Sequence, residues 1–259
     1  MPRAKDREDN FIKFLGTAGA RFVMIRQLRA SAGIWVCSEG TNILIDPGPG
    51  SIVRCAKSRP RLDPSLLEGI ILTHRHLDHA NDINVMIEAM TEGGFKKRGR
   101  VFCPQDALGE DTIILKHAQA FLEKIEIIEA GGSYRAGNFS FTASMRHMHP
   151  VETYGIKFKI NQTTIALICD TRYFEGLADF YQADILIICV VFKEPRQGID
   201  HLALTDAERL IDRIKPRQAI LTHFGMTMLK AKPQVQAQAL TQKIGIEVTA
   251  AYDGMTVYL

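Results

Sequence analysis

Thr73-His74-Arg75-His76-Leu77-Asp78-His79 is the stretch on which the reading of this chain turns. It packs three imidazoles and a carboxylate into the pattern H-x-H-x-D-H. Two histidines separated by one residue project to the same side of an extended or turning backbone. Asp78 and His79 then begin the next turn and can face a second point. Imidazole and carboxylate together suit zinc, iron or manganese. The stretch therefore predicts a metal centre.

Working outward, Gly69 to Leu72 reads as a short buried strand entering the cluster. Asp46-Pro47-Gly48-Pro49-Gly50 stops an earlier strand, Asn42 to Ile45. After the cluster, Ile83, Met86, Ile87 and Met90 fall at helical spacing, and Gly93-Gly94 ends the run. Phe11 to Leu15, Arg21 to Arg26 and Ile34 to Cys37 read as further strands near the start. Val101 to Cys103, Ile125 to Ile128, Phe139 to Ala143, Gly155 to Ile160, Thr164 to Cys169, Ile185 to Val191 and Gln218 to Leu221 continue the series. Thr205 to Lys215 reads as a helix with Thr205 as N-cap and Glu208 completing a capping box. Pro233 to Ile244 is a second helix, and Glu247 to Leu259 closes with strands around Asp253-Gly254. The pattern predicts an α/β chain with two packed sheets and helices outside.

Further candidate ligands stand at predicted strand ends: His149, Asp170 and His223. With the cluster they make a full two-metal set. One metal takes His74, His76 and His149; the other takes Asp78, His79 and His223; Asp170 bridges them. His147 is a rival for the place of His149. His117 lies in a helical stretch and reads as a surface residue. The basic run Lys96-Lys97-Arg98-Gly99-Arg100 reads as a solvated loop, with an anionic-substrate contact as the sharper alternative.

In this order, Ile45-Asp46-Pro47-Gly48, H-x-H-x-D-H, His149, Cys169-Asp170-Thr171 and Leu221-Thr222-His223 resemble the metallo-β-lactamase-fold superfamily over nearly the whole chain. The resemblance implies a four-layer αββα sandwich, two mixed sheets with helices on the outer faces, in a single domain spanning 1–259. It implies two divalent metal ions, zinc with manganese or iron as alternatives, and a hydrolase using a metal-bridging hydroxide. It also implies that Asp46 holds the cluster without ligating. Its ligand shortly before a glycine such as Gly155 favours His149 over His147. His201, in Asp200-His201-Leu202-Ala203-Leu204-Thr205, is similar to a histidine of the phosphodiesterase branch that reaches the phosphoryl group. That branch includes ribonuclease Z and the phosphoribosyl cyclic phosphodiesterase. The chain departs from both. Residues 150–169 leave no room for the tRNA-gripping arm, since they read as two strands with a tight turn at Asn161-Gln162. No cysteine pair can build the extra zinc site of the cyclic enzyme.

The implied catalytic residues are Asp78, which orients the hydroxide, and His201, which stabilises the transition state or protonates the leaving oxygen. The expected substrate is a small, cyclic or nucleotide phosphodiester; nucleic acid is admitted but not indicated. The alternatives are a hydrolase of thioesters, lactones or other carboxylic substrates, an iron-dependent persulfide dioxygenase, and a non-catalytic binding module.

The bulk numbers agree with an ordinary globular chain. It has 259 residues, 46% hydrophobic and 24% charged, with a net charge of +3. That charge does not call for a nucleic-acid partner. The five cysteines are odd in number and include no C-x-x-C, so no disulfide framework or zinc ribbon is expected. Cys169 and Cys189 read as buried, inert thiols. Met1 to Asn10 is charged and unlike a signal peptide, and no apolar run reaches the ~18 residues of a membrane span. A cytoplasmic protein with no membrane partner is expected. Relatives of this kind often form homodimers, so one is admitted.

Overall fold

The computed structural model describes residues 10–31 and 33–259. Most of the charged Met1 to Asn10 stretch lies outside them. Among the described residues, period-two alternation builds two seven-stranded sheets. The first contains β1 (Phe11–Phe14), β2 (Ile34–Ser38), β3 (Thr41–Ile45), β4 (Leu67–Ile71), β5 (Arg100–Cys103), β6 (Lys124–Ile127) and β14 (Thr256–Tyr258), in the order β14-β1-β2-β3-β4-β5-β6. The second contains β7 (Ser133–Ala136), β8 (Phe139–Arg146), β9 (Tyr154–Ile160), β10 (Thr163–Ile168), β11 (Ile185–Cys189), β12 (Gln218–Thr222) and β13 (Glu247–Ala250), in the order β13-β12-β11-β10-β9-β8-β7. Each sheet is half antiparallel and half parallel. β3 to β6 are parallel, as are β10 to β13.

Alternate residues go to opposite faces and define three apolar layers. Ile43 and Ile45 face Ile156, Phe158, Leu167 and Ile187 between the sheets. Leu44, Ile70 and Val101 turn outward onto Ile83, Met86, Ile87 and Met90 of the helix Ile83–Met90. Ala166, Ile188 and Leu221 turn outward onto Leu210, Ile211 and Leu240. The architecture is the four-layer αββα sandwich. β11 is buried along its whole length, as a parallel strand covered on both faces must be.

The helices are α1 (Ala20–Ile25), α2 (Ser51–Lys57), α3 (Leu77–Ala80), α4 (Ile83–Met90), α5 (Lys116–Phe121), α6 (Leu177–Phe180), α7 (Leu204–Ile214), α8 (Met226–Lys230) and α9 (Pro233–Ile244). Three expectations need correction. Arg21 to Arg26 is helical, within and just beyond α1, not a strand. β1 already pairs with β14 on one edge and β2 on the other, so this segment satisfies its backbone groups internally. The helix α7 starts one residue early, and Thr205 does not cap it. Ala203 is the N-cap residue, and the Asp206 carboxylate accepts its N–H at 2.9 Å. The sequence reading also left out α2, α6, α8 and β7.

Arg98 and Arg100 of the basic run are tied within the protein. Arg98 donates to the Ser65 and Leu67 carbonyls, and Arg100 pairs with Glu123 and Glu126. The run leads into β5 and ends on its first residue, Arg100. His117 is exposed on α5 beside Glu88. All five cysteines are buried, and among the described residues none forms a disulfide. Among the described residues, no helix is long and apolar enough to cross a membrane.

Candidate metal centre

Every candidate ligand follows the C-terminal end of a strand, at the rim between the two sheets, where open α/β sheets place their ligands. β4 delivers Thr73 and His74. His76 is still extended and is the N-cap residue of α3, whose single turn carries Asp78 and His79. β8 leads to His149, β10 to Asp170 and β12 to His223.

These residues fall into two groups. Ligand-capable atoms of His74, His76, His149 and Asp170 lie within 4.8 Å of one another, and so do those of Asp78, His79 and His223. In the first, His149 Nε2 is 3.1 Å from His76 Nδ1, and His74 Nε2 is 3.7 Å from Asp170 Oδ2. In the second, His79 Nε2 is 2.9 Å from His223 Nε2, and Asp78 Oδ2 is 3.4 Å from His223 Nε2. Asp170 Oδ2 also lies 3.5 Å from His79 Nε2, so this carboxylate stands between the groups.

The tautomers follow from the surrounding partners. Asp46 accepts the Thr73 N–H (2.7 Å), the Thr73 hydroxyl (2.7 Å) and a proton on His79 Nδ1 (2.9 Å). The Thr73 hydroxyl, having donated to Asp46, accepts from His74 Nδ1 at 3.1 Å. His149 donates Nδ1–H to the Asp200 carbonyl at 2.9 Å. Each arrangement leaves the Nε2 lone pair of His74, His79 and His149 aimed into the centre, as metal-binding imidazoles require.

Burial sharpens the point. His74 Nε2, Asp170 Oδ1, His201 Nδ1 and His223 Nδ1 are buried with no hydrogen-bond partner. His223 Nδ1 lies 3.2 Å from Asp170 Oδ1 but without hydrogen-bond geometry. Buried polar atoms left unmatched cost about 1–3 kcal/mol each, so four converging here fit a cation. The nitrogen and oxygen donors suit zinc, manganese or iron.

Burial and neighbouring imidazoles hold His74 well below its usual range, and burial with His149 brings His76 to about 4. Burial lowers His149 as well. These rings stay neutral and able to ligate. Burial opposes charge on His79, but Asp78 and Asp46 outweigh it and raise this imidazole. Burial likewise opposes the Asp78 and Asp170 carboxylates, and the surrounding histidines overcome it, keeping both ionised.

His147 turns away from this centre. It is buried and donates Nδ1–H to the Asp170 carbonyl at 3.1 Å, so its Nε2 accepts from the Tyr181 hydroxyl. His201 faces the centre, with Nδ1 3.5 Å from Asp170 Oδ2 and its ring 5.2 Å from that of His149. Burial opposes its protonation, and Asp170 outweighs burial and raises it.

Cys189 was read only as an inert thiol. It is buried, and burial pushes its thiol well up, but its sulfur joins Asp170 and His223 in a third ligand-capable group. The available signal was its position at a strand end, the same one that marks Asp170. A cavity of about 800 Å³ opens over the centre, lined there by His76, Asp78, His149, Asp170 and His201.

This fold matches known proteins. Residues 41–224 match the model of the beta-lactamase superfamily domain. The protein MJ1374 of Methanocaldococcus jannaschii is 32% identical over 258 residues, covering 96% of this chain and 94% of its own. The chain belongs to the beta-lactamase superfamily. The crystal structure of the metallo-beta-lactamase fold protein YhfI from Bacillus subtilis superposes with a TM-score of 0.79 at 20% identity, covering 96% of this chain and 99% of that one. A diphosphatase of the PhnP family gives 0.70 at 17% identity, over 96% and 98% of the two chains. The short form of human tRNase Z gives 0.71 at 18%, over 95% and 98%.

Proposed function

We propose that this protein is a dinuclear-metal phosphodiesterase acting on a small or nucleotide phosphodiester. The observation that carries this reading is His201. It shares the cavity with both ligand groups and stands 3.5 Å from Asp170. A centre that needed only ligands has no use for a further imidazole at that place. The structural relatives include a diphosphatase and a tRNase, both named for phosphorus chemistry. β9 and β10 are joined by a tight turn at Asn161-Gln162, with no arm between them to grip a tRNA, so a small substrate is favoured. We assign the metal ligands as His74, His76 and His149 in one group, Asp78, His79 and His223 in the other, and Asp170 between them, in a single domain.

Divalent ions held by these groups would supply a water of lowered pKa and positive charge beside the phosphoryl oxygens. The chain's residues do the rest. Asp78, facing the cavity, orients the attacking water through its carboxylate. Asp46 keeps His74 and His79 in the ligating tautomer. Asp170 favours the proton on His201, and His201 passes it to the departing ester oxygen.

The test is turnover of bis-p-nitrophenyl phosphate against a thioester panel by the metal-loaded enzyme, with His201→Ala beside it. Phosphodiester turnover should exceed thioester turnover. On a 2′,3′-cyclic nucleotide, whose leaving alkoxide needs a proton, His201→Ala should lower turnover by about 10²–10⁴, the usual worth of a positioned acid, with bound metal unchanged. Loss of metal in His201→Ala, or undiminished turnover, refutes the role.

A further inference from the structure

The wall of the cavity opposite the ligands is made of the wrong residues for a polar substrate. α1 buries Val23 but leaves Phe22 65% and Ile25 69% exposed, and both line the cavity. Leu77, on α3 beside Asp78, is 61% exposed, and Ile199, in the loop before His201, is 43% exposed. A surface helix ordinarily turns its polar side to water. Here an aromatic and a branched aliphatic side chain face an opening that runs continuously to the catalytic groups. Two cations join them in the lining, Arg21 on α1 and Arg196, whose guanidinium lies 4.9 Å from the Phe192 ring centroid.

The position of α1 is fixed by the backbone of the metal centre. Gly19 N–H donates to the Phe224 carbonyl at 3.0 Å, and Phe224 N–H donates to the Thr17 carbonyl at 2.8 Å. A Cβ on Gly19 would lie 2.1 Å from the His223 carbonyl oxygen. Phe22 and Ile25 are therefore set at a defined place relative to His223. A cavity of about 800 Å³ holds one organic molecule. A polynucleotide would call for an extended cationic track, and two arginines beside Phe22 and Phe192 are too few to make one.

We propose that the substrate is a small phosphodiester carrying a large apolar ester substituent. The substituent seats on Phe22, Ile25 and Ile199, and Arg21 and Arg196 attract the single negative charge. This inference rests on the phosphodiester reading above and names the other half of the substrate.

Two measurements on the metal-loaded protein test it. The first is calorimetric binding of methyl octyl phosphate against dimethyl phosphate. The second is kcat/KM for p-nitrophenyl octyl phosphate against p-nitrophenyl methyl phosphate. The octyl compound should bind at least about tenfold more tightly and show a similar advantage in kcat/KM. Each buried methylene contributes about 0.8 kcal/mol, so two suffice. In Phe22→Ser/Ile25→Ser the octyl-to-methyl ratio should collapse towards one. Leu28→Ser, which removes an exposed leucine outside the cavity, should keep the wild-type ratio. Equal binding of the two diesters overturns the inference, as does a ratio that survives the double substitution or falls equally in Leu28→Ser. Octyl-selective binding without turnover of either ester refutes the hydrolytic reading and leaves the apolar subsite standing. Turnover without selectivity does the reverse.

Discussion

Replacing Asp46 by asparagine probes the centre at one atom. Oδ1, which accepts the Thr73 N–H at 2.7 Å, can be kept as the amide oxygen. Oδ2, which accepts from both the Thr73 hydroxyl and His79 Nδ1, becomes an NH₂ group. The Thr73 oxygen has two lone pairs, so it can accept from the new amide and still from His74 Nδ1. His74 thus keeps its tautomer. His79 cannot: two donors would meet unless its proton moves to Nε2. That nitrogen points at His223 Nε2, 2.9 Å away, into the space a metal would occupy. The loss of one charge-assisted hydrogen bond costs about 2 kcal/mol in the metal-free protein, or roughly 4–8 °C in Tm at this chain length. Misorienting a ligand through its supporting partner typically costs 10–100-fold in metal affinity. The loss should fall on the Asp78–His79–His223 group, while the His74–His76–His149 group holds its ion. Titration against a chromophoric chelator, with elemental analysis after dialysis, reads both affinities. Two ions held as in the wild type, or both lost together, would refute the reasoning.

Acid should destabilise the fold through His147. Burial depresses this imidazole to about 4, against about 6.5 in an unfolded chain. The unfolded state therefore takes up a proton first as pH falls through 6.5. Stability declines until pH 4, by about 3 kcal/mol in all. Denaturant melts across that range should lose this part of their slope in His147→Asn, while the depressed His74, His76 and His149 keep theirs, and a slope unchanged by the substitution contradicts the assignment. Gly19→Ala should destabilise the protein by about 1–3 kcal/mol, as overpacking does, because its Cβ meets the His223 carbonyl. It should also weaken metal binding at His223; a wild-type Tm and metal content would show that α1 is not anchored there.

Much of this was legible where burial acts on both faces. Ile185 to Cys189 is apolar throughout because it is covered above and below. α9 runs from Pro233 to Ile244 as read, with proline in its first turn and Gly245 left-handed beyond its end. The cluster was legible because its ligands are neighbours in sequence. α1 was not. Arg-Phe-Val-Met-Ile-Arg has no clear period, and the sheet's pairing decides that no strand can form there. The choice between His147 and His149 was not local either. A register shift between Ala143 and Arg146 alters how the end of β8 meets β9, and His147 finds a partner in Tyr181, far along the chain. Thr205 failed as a cap because Asp206, one residue on, reaches back to the Ala203 N–H instead.

The least legible part of the centre is the backbone that aims it. Asp46 has φ 53° and His223 has φ 60°, left-handed values that disfavour side chains bearing a Cβ. Each costs about 1–2 kcal/mol, and each directly follows the last residue of a strand, β3 in one sheet and β12 in the other. A left-handed residue there swings the following chain out of the sheet while its own side chain stays at the rim. For Asp46 the cost is offset by three accepted hydrogen bonds. For His223 the offset comes from the ladder between residues 17–19 and Phe224. Gly48 completes the device, since a Cβ there would lie 2.1 Å from the Asp78 carbonyl oxygen. The loop after β3 thus rests directly on the backbone of α3. The same glycine-permitted contact recurs where Gly19 meets His223. Both glycines press a neighbouring loop against a proposed ligand of the same metal. The backbone therefore constrains the second group from both sheets; in the first, His76 is held as the N-cap residue of α3 and His149 by its N–H to the His147 carbonyl at 3.1 Å. Of the two groups, the Asp78–His79–His223 group is the one braced by close glycine contacts on the backbone of its residues.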